Sequence, residues 1–205
     1  MRLYKIIDRL AQVTSVVFNY KVVNAFQYFK NQVLWYGKKR NFRRVGNNVH
    51  LEFPAKILSP DKIEIGDNVF IAEDAILEVW GDNPDACISI GNNVCISSRI
   101  HIGCINKVTI ASGVLIAGNV LIEDHFHGDV SSSEVDIEPN KRILKSRGGI
   151  FISENVWIGE NVVIMPGVSI GRGCVIGANS TVTKSIPDYT VVAGSPAKII
   201  RRLTS

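Results

Sequence analysis

From Ile152 onward an aliphatic residue returns at every sixth position: Ile152, Ile158, Ile164, Ile170, Ile176 and Val182. The residue after it is often Gly or Ser, and the one two places before it is small or β-branched, as at Val156, Val162, Val168, Cys174 and Ser180. A period of six does not return to one face of an α-helix, so an amphipathic helix is excluded. Running the same ruler backwards gives Ile110, Ile116 and Ile122; Ile90, Ile96 and Ile102; Ile65, Ile71 and Leu77; and, more weakly, Val45, Leu51 and Ile57. Between these groups the spacing lengthens by two residues after Ile57, seven after Leu77, two after Ile102 and twenty-four after Ile122. Each extension follows a third hexad. Extra residues leave a repeating coil only where the chain turns at one corner, so the pattern predicts three hexads per turn and an all-β parallel helix of triangular section, its turns stacked about 4.8 Å apart. The every-sixth aliphatic fills the prism, and steps such as "GDN", "GNN" and "GEN" make bends where positive φ is tolerated.

Three segments follow from the ruler: an α-helical cap over 1–42, the β-helix over 43–187 with a long loop over 123–151, and a tail over 188–205 that leaves the repeat after Pro187. The coil's flat ends need covers, and the N-terminal helices and the basic tail are expected to supply them. Lys5, Arg9, Lys21 and Lys30 interrupt the apolar residues of the N-terminal segment, so no membrane span is expected there. The cluster "KKRNFRR" beside it keeps peripheral membrane contact open next to the plainer reading of a cap or subunit contact. The N-terminus lacks the apolar run and cleavage site of a secretory signal, so the expected location is cytoplasmic, extending to the inner face of the membrane. A net charge of +4 without a basic, aromatic-interleaved stretch argues against a nucleic-acid partner. Cys87, Cys95, Cys104 and Cys174 form no CxxC pair and read as free, buried thiols, with no metal site implied.

The run from Ile152 to Arg202, with "VWIG", "IMPGVSIG", "VIGANSTVTK" and "AGSPAK" at fixed spacings, resembles the C-terminal half of hexapeptide-repeat acetyltransferases. It is most similar to the maltose and galactoside acetyltransferases and to the O-acetyltransferases of O-antigen and capsule synthesis. The resemblance extends back to about Val45 and leaves out the N-terminal helices. It implies a left-handed parallel β-helix, a homotrimer, acetyl-CoA in the groove between subunits, and a loop histidine as general base. It also implies an acceptor that is a sugar, sugar nucleotide or lipid-linked sugar.

Moving an acetyl group from a thioester to a hydroxyl needs a base for the hydroxyl proton, and imidazole suits that task near neutral pH. "EDHFHG" supplies two. The family's catalytic histidine stands five residues after the third aliphatic of its coil, which favours His127 over His125, three residues after it, as the base; His125 or Asp124 is then expected to orient it or to contact the sugar, and His125 stays the alternative base because the family's loops vary in length here. By the same resemblance Glu160, Ala178, Thr183 and Lys184 take the CoA-contact positions, Lys198 and Arg201 lie near the nucleotide phosphates, and Ser97 faces the acceptor where galactoside enzymes carry Asn. Cations near a phosphorylated nucleotide make physical sense. His101 and His50 read as structural or exposed, and Trp157 as packing on the catalytic loop or a corner or, more plainly, as core filling. Lys141, Arg142, Lys145 and Arg147 near the end of the long loop offer charge for an anionic acceptor, or form a solvated run. No Ser or Cys in the motif stands where a nucleophile is expected, so the transfer is direct and metal-free. Competing readings are an amino-sugar N-acyltransferase, a small-molecule acetyltransferase, a non-catalytic β-helix scaffold, and a zinc enzyme like the γ-class carbonic anhydrases that share this coil.

Overall fold

The computed structural model describes residues 2–15, 18–128 and 133–203. Three parallel sheets run the length of the repeat and form the sides of a prism. Face A pairs Val45, Ile65, Ile90, Ile110, Ile152 and Ile170 in register; face B pairs Leu51, Ile71, Ile96, Ile116, Ile158 and Ile176; face C contains Ile57, Leu77, Ile102, Ile122, Ile164 and Val182. These are the aliphatics of the six-residue ruler, and nearly all are fully buried. Each contributes about 2 to 3 kcal/mol by leaving water, and they form one continuous core with the β-branched residues two places before them.

The bends are made as the sequence predicts. Asn48, Asn68 and Asn93 have left-handed backbone at successive turns of one edge. Their amides form a ladder, Asn48 Nδ2 donating to Asn68 Oδ1 at 3.0 Å and Asn68 Nδ2 to Asn93 Oδ1 at 3.1 Å. Asn tolerates this conformation and satisfies its own amide in the stack, where an aliphatic residue would do neither.

The tail differs from the sequence reading. The chain stays in the stack on both sides of Pro187: Ile186 bridges Ile170 on face A, and Thr190–Ala193 pairs in parallel with Val175–Ile176 on face B. Ile186 follows Val182 after four residues instead of six, which hid the last turn from a fixed ruler. Lys198–Arg202 then folds back antiparallel on Thr190–Ala193 and covers the edge of face B.

Helix α1 spans Arg2–Ser15 and α2 spans Tyr20–Lys38. Helix α2 starts at Asn19, whose side chain accepts from the Val22 amide, and packs on the first turn of the coil. Its buried Trp35 meets the Phe42 ring edge-on at 5.5 Å, and its buried Asn31 accepts from the Phe53 amide through Oδ1 at 3.3 Å. No described helix is long and apolar enough to cross a membrane.

Candidate active site

The long insertion leaves the prism after Leu121–Glu123, at the edge where face C turns into face A. Asp124, the first residue beyond that strand, is fully buried. Its Oδ1 accepts from the Ile105 amide and its Oδ2 from the amides of Asn106 and Lys107, all at 2.8 Å. It therefore clamps the corner of the preceding turn. Burial raises the pKa of this carboxyl, but the bonds from His125 and the three amides outweigh it and hold the group below the ordinary carboxylate range. The nearby Cys104 thiol, buried beside the carboxylate, is pushed up to about 12 and stays protonated.

His125 follows directly. It is 7% exposed, with Nδ1 3.3 Å from Asp124 Oδ1. Its ring lies over Gly103, where an added Cβ would come within 3.1 Å of the imidazole Cε1. Gly103 thus marks a close approach rather than a turn: a Cβ there would press on the His125 ring and the Glu123 side chain. Two residues on, His127 is exposed. Phe126–His127 pairs antiparallel with Leu144–Lys145, His127 opposite Leu144, so the insertion is closed at its base by a two-stranded ladder. The two imidazoles are 6.4 Å apart and tilted by 60°. The pair therefore divides into an enclosed ring held by a carboxylate and an open ring on a fixed hairpin. Asp124 is fully buried and meets the His125 ring.

Residues 129–132 of the insertion lie outside the described residues. In the remainder, Arg142 donates through Nε to the Ile137 carbonyl at 2.8 Å and through Nη2 to the Val135 carbonyl at 3.1 Å. Lys141 pairs with Glu138 at 3.0 Å and Lys145 with Glu134 at 2.8 Å, while Arg147 sits over the Phe126 ring at 5.2 Å. Each of the four cations thus has a partner within the loop or at its base, while Lys141, Lys145 and Arg147 remain exposed.

The other candidate residues fall on a different edge, where face B turns into face C. Glu52 heads this edge on the first turn; from the second turn on, the residues just past the buried aliphatics are Ala72, Ser97, Ala117, Gly159, Gly177 and Ala193, one per turn, bonded turn to turn by the backbone: Ala72 N to Ile96 O, Ser97 N to Ile116 O, Ala117 N to Ile158 O, Gly159 N to Ile176 O and Gly177 N to Val192 O. They make a column with almost no side chain. Glu160 and Ala178 flank it on adjacent turns, Glu160 O accepting from the Asn179 amide and its Oε1 from Asn119 Nδ2 at 3.4 Å. At its C-terminal end "GSPA" folds over the last turn, Ser195 Oγ donating to Thr181 Oγ1 at 2.9 Å, and Lys198 lies opposite Ala193. Arg201 is further along the same strand, opposite Val191. Thr183 and Lys184 sit instead on the edge between faces C and A, exposed, with the histidines.

One chain thus does not gather the predicted residues into one place. One hexad of near-extended chain, at most about 20 Å, separates the histidine edge from the small-residue column. Trp157 is also placed differently from expectation. It is 52% exposed on the outside of face B, laddered between Leu115 and Val175. With exposed Phe70, Cys95 and Leu115 in the same outer row it makes an apolar stripe beside the column. Alternation along the strand explains this: Ile158 points in, so Trp157 points out. Cys95 is likewise the one thiol that is exposed, whereas Cys87, Cys104 and Cys174 are buried as expected. His101 is half-buried between Glu78 and Glu123, at 3.5 and 3.8 Å, and His50 stacks between Tyr28 and Phe70. Among the described residues no group of three or more His, Cys, Asp or Glu is placed to hold a metal ion.

A six-residue parallel coil with a histidine loop on one edge and a bare backbone column on the next defines the hexapeptide-repeat class of transferases. The chain's residues 149–184 match the bacterial transferase hexapeptide (six repeats) pattern. Over 156 residues, 74% of this chain and 78% of the relative, it is 40% identical to WbbJ of Escherichia coli K12, named as an O-acetyl transferase of lipopolysaccharide biosynthesis. It is 39% identical over 139 residues, 68% of this chain and 63% of the relative, to the galactoside O-acetyltransferase of the same organism. Among solved structures, AntD of Bacillus cereus, an N-acyltransferase in complex with dTDP-4-amino-4,6-dideoxyglucose and coenzyme A, superposes with a TM-score of 0.72 at 26% identity, over 84% of this chain and 89% of that one. The hexapeptide-repeat acetyltransferase VCA0836 of Vibrio cholerae, complexed with acetyl coenzyme A, gives a TM-score of 0.58 at 27% identity, over 85% and 79% of the two chains. The chain belongs to the hexapeptide-repeat acyltransferase family, and it is an enzyme of that class.

Proposed function

We propose that the protein is an acetyl-CoA-dependent O-acetyltransferase acting on a sugar hydroxyl in surface-polysaccharide synthesis, and that it works as a homotrimer of left-handed β-helices in the cytoplasm. The observation that carries this reading is the split of the candidate residues between two edges of one chain. A cyclic assembly sets one edge of a subunit against a different edge of the next, and so closes a site from the histidine edge of one copy and the small-residue column of another. The apolar stripe of Phe70, Leu115 and Trp157 beside the column supports such a contact.

In this site acetyl-CoA supplies the acetyl thioester. The column Ala117, Gly159 and Gly177 offers backbone to a pantetheine arm at close approach, with Glu160 and Ala178 beside it. Lys198 and Arg201 take the phosphate end, and Thr183 and Lys184 contribute from the histidine edge of the neighbouring copy. His127, open to solvent, takes the proton of the acceptor hydroxyl as its oxygen attacks the thioester carbonyl, and returns that proton to the departing sulfur. His125, enclosed and held by Asp124, positions the exit of the hairpin that carries His127. Ser97 faces the acceptor.

The choice of oxygen rests on the WbbJ and galactoside O-acetyltransferase relatives. An AntD structure with an amino-sugar nucleotide bound, that of a serine-to-cysteine mutant, supports N-acylation of a nucleotide sugar as the second reading. Thiol release from acetyl-CoA against a panel of sugars, sugar nucleotides and their 4-amino analogues decides between them. The proposal expects turnover with hydroxyl acceptors; turnover confined to amino sugars supports the second reading, and none with any acceptor contradicts both.

A further inference from the structure

The acyl-transfer site leaves the N-terminal helices unused, and their surfaces are unlike the rest of the molecule. Helix α1 carries Leu3, Ile6, Ile7, Leu10 and Val13 on one side and Lys5, Asp8, Arg9 and Gln12 on the other, and all of these are exposed. Helix α2 has two faces. Asn31 and Trp35 are buried on the first coil, while Val22, Phe26, Phe29 and Val33, spaced four, three and four residues apart, point away from it. Phe26 is 69% exposed and Phe29 64%. The core is already complete behind Trp35, so the outer stripe has no folding role.

Charge identifies what covers it. Residues 1–44 hold ten Lys or Arg and one acid, Asp8, a net of +9; the whole chain is +4, which leaves −5 on the other 161 residues. A second copy of the helices would bring +9 against +9, so like charge opposes self-association through this face. An anionic surface is attracted to it. We propose that α1 and the outer face of α2 are an interfacial docking surface for an anionic lipid bilayer. The apolar stripes enter the headgroup boundary, and the exposed Lys5, Arg9, Lys21, Lys30 and Arg40 meet lipid phosphates, while Arg43 and Arg44 are held at the coil by Glu64. Helix α2 closes the first turn of the coil, so attachment is end-on. In a cyclic trimer, whose symmetry axis keeps equivalent surfaces at one end, three caps bind together and avidity follows.

Co-sedimentation of the full chain with vesicles tests this. Binding is expected on phosphatidylcholine vesicles containing phosphatidylglycerol, at least about tenfold weaker on phosphatidylcholine alone and in roughly 0.5 M salt. Phe26→Ser with Phe29→Ser, and separately Lys5, Arg9, Lys21 and Lys30 all→Gln, each lower binding by about tenfold or more while sedimentation equilibrium gives an unchanged mass. Absence of binding to anionic vesicles overturns the proposal. So does a serine variant that loses its assembly, since the stripe is then a subunit contact. Acetyl transfer to a soluble acceptor is unchanged in both variants, so failure here is separate from failure of the enzymatic reading.

Discussion

Two edges of the prism have opposite histories. The edge between faces C and A takes up the insertions of two, seven, two and twenty-four residues, and there the chain departs to carry His125 and His127. The edge between faces B and C takes none: from Leu51 to Val182 every step across it is six residues. Looping out is cheap where only a connection is stretched, because loop closure costs little per added residue. It is costly along the column, where each turn's backbone bonds the next. The permissive edge thus offers a movable base, and the invariant edge offers a groove whose shape the backbone sets. Neither edge is a site by itself.

The contrast can be broken in several ways. The largest effect is expected from His127→Ala, which lowers turnover by about 10² to 10⁴ at unchanged stability, since it removes an exposed general base. His125→Ala is expected to cost less in turnover and to lower the melting temperature, because the ring is packed on Gly103. Equal losses without a stability change at His125 would transfer the base assignment to it. Next is a Gly-Ser-Gly-Ser insertion between Gly118 and Asn119, which interrupts the bonds of Asn119 N to Ser98 O and Asn161 N to Gly118 O. Several such bonds at about 1 kcal/mol each are lost. The same insertion between Asp82 and Asn83, on the permissive edge, costs less than about 1 kcal/mol. Equal melting points for the two would remove the distinction.

Asp124→Asn leaves amides of 105–107 facing an NH₂ group or a weaker acceptor and is expected to destabilise by about 3 kcal/mol in urea unfolding. The pH dependence has a definite sign. The folded pKa of Asp124 is depressed, so its contribution is present above the unfolded value near 4 and is lost as pH falls through the folded one. Wild type should therefore lose stability on acidification below about pH 4, and the Asn variant should show a flatter profile there. The smallest effect is that of Ala117→Trp, which fills the column from outside without touching the core. It is expected to raise KM for acetyl-CoA about tenfold with the fold retained, as steric loss of a contact surface in a preformed groove.

Much of this was legible in the sequence because a repeat writes its three-dimensional neighbours into its spacing. The aliphatics at intervals of six paired in space turn upon turn, and the insertions marked their corner. Where the spacing changed sign, at Val182 to Ile186, the ruler lost the final turn, since a shortened corner looks like an ended repeat. Trp157 was misread because size suggested a core position, although its neighbour Ile158 already occupied the inward place. The site was legible residue by residue and not as a constellation. Spacing locates a residue along its own chain; it does not say that the histidine edge and the column stand a full face apart. The clamp made by Asp124 was also hidden, because its partners at 105–107 lie one turn back and donate only backbone amides.

The central claim, a site shared between copies, is tested most directly by complementation. Differently tagged His127→Ala and Ala117→Trp chains are co-expressed, mixed assemblies are purified through both tags, and thiol release is measured at acetyl-CoA well below KM. In every mixed trimer, a site made from the histidine edge of one chain and the column of another regains two intact edges at one of the three contacts, so activity should rise to about a third of wild type, well above either variant alone. Activity that stays at the average of the two variants would contradict the account, because it would mean that each chain completes its own site.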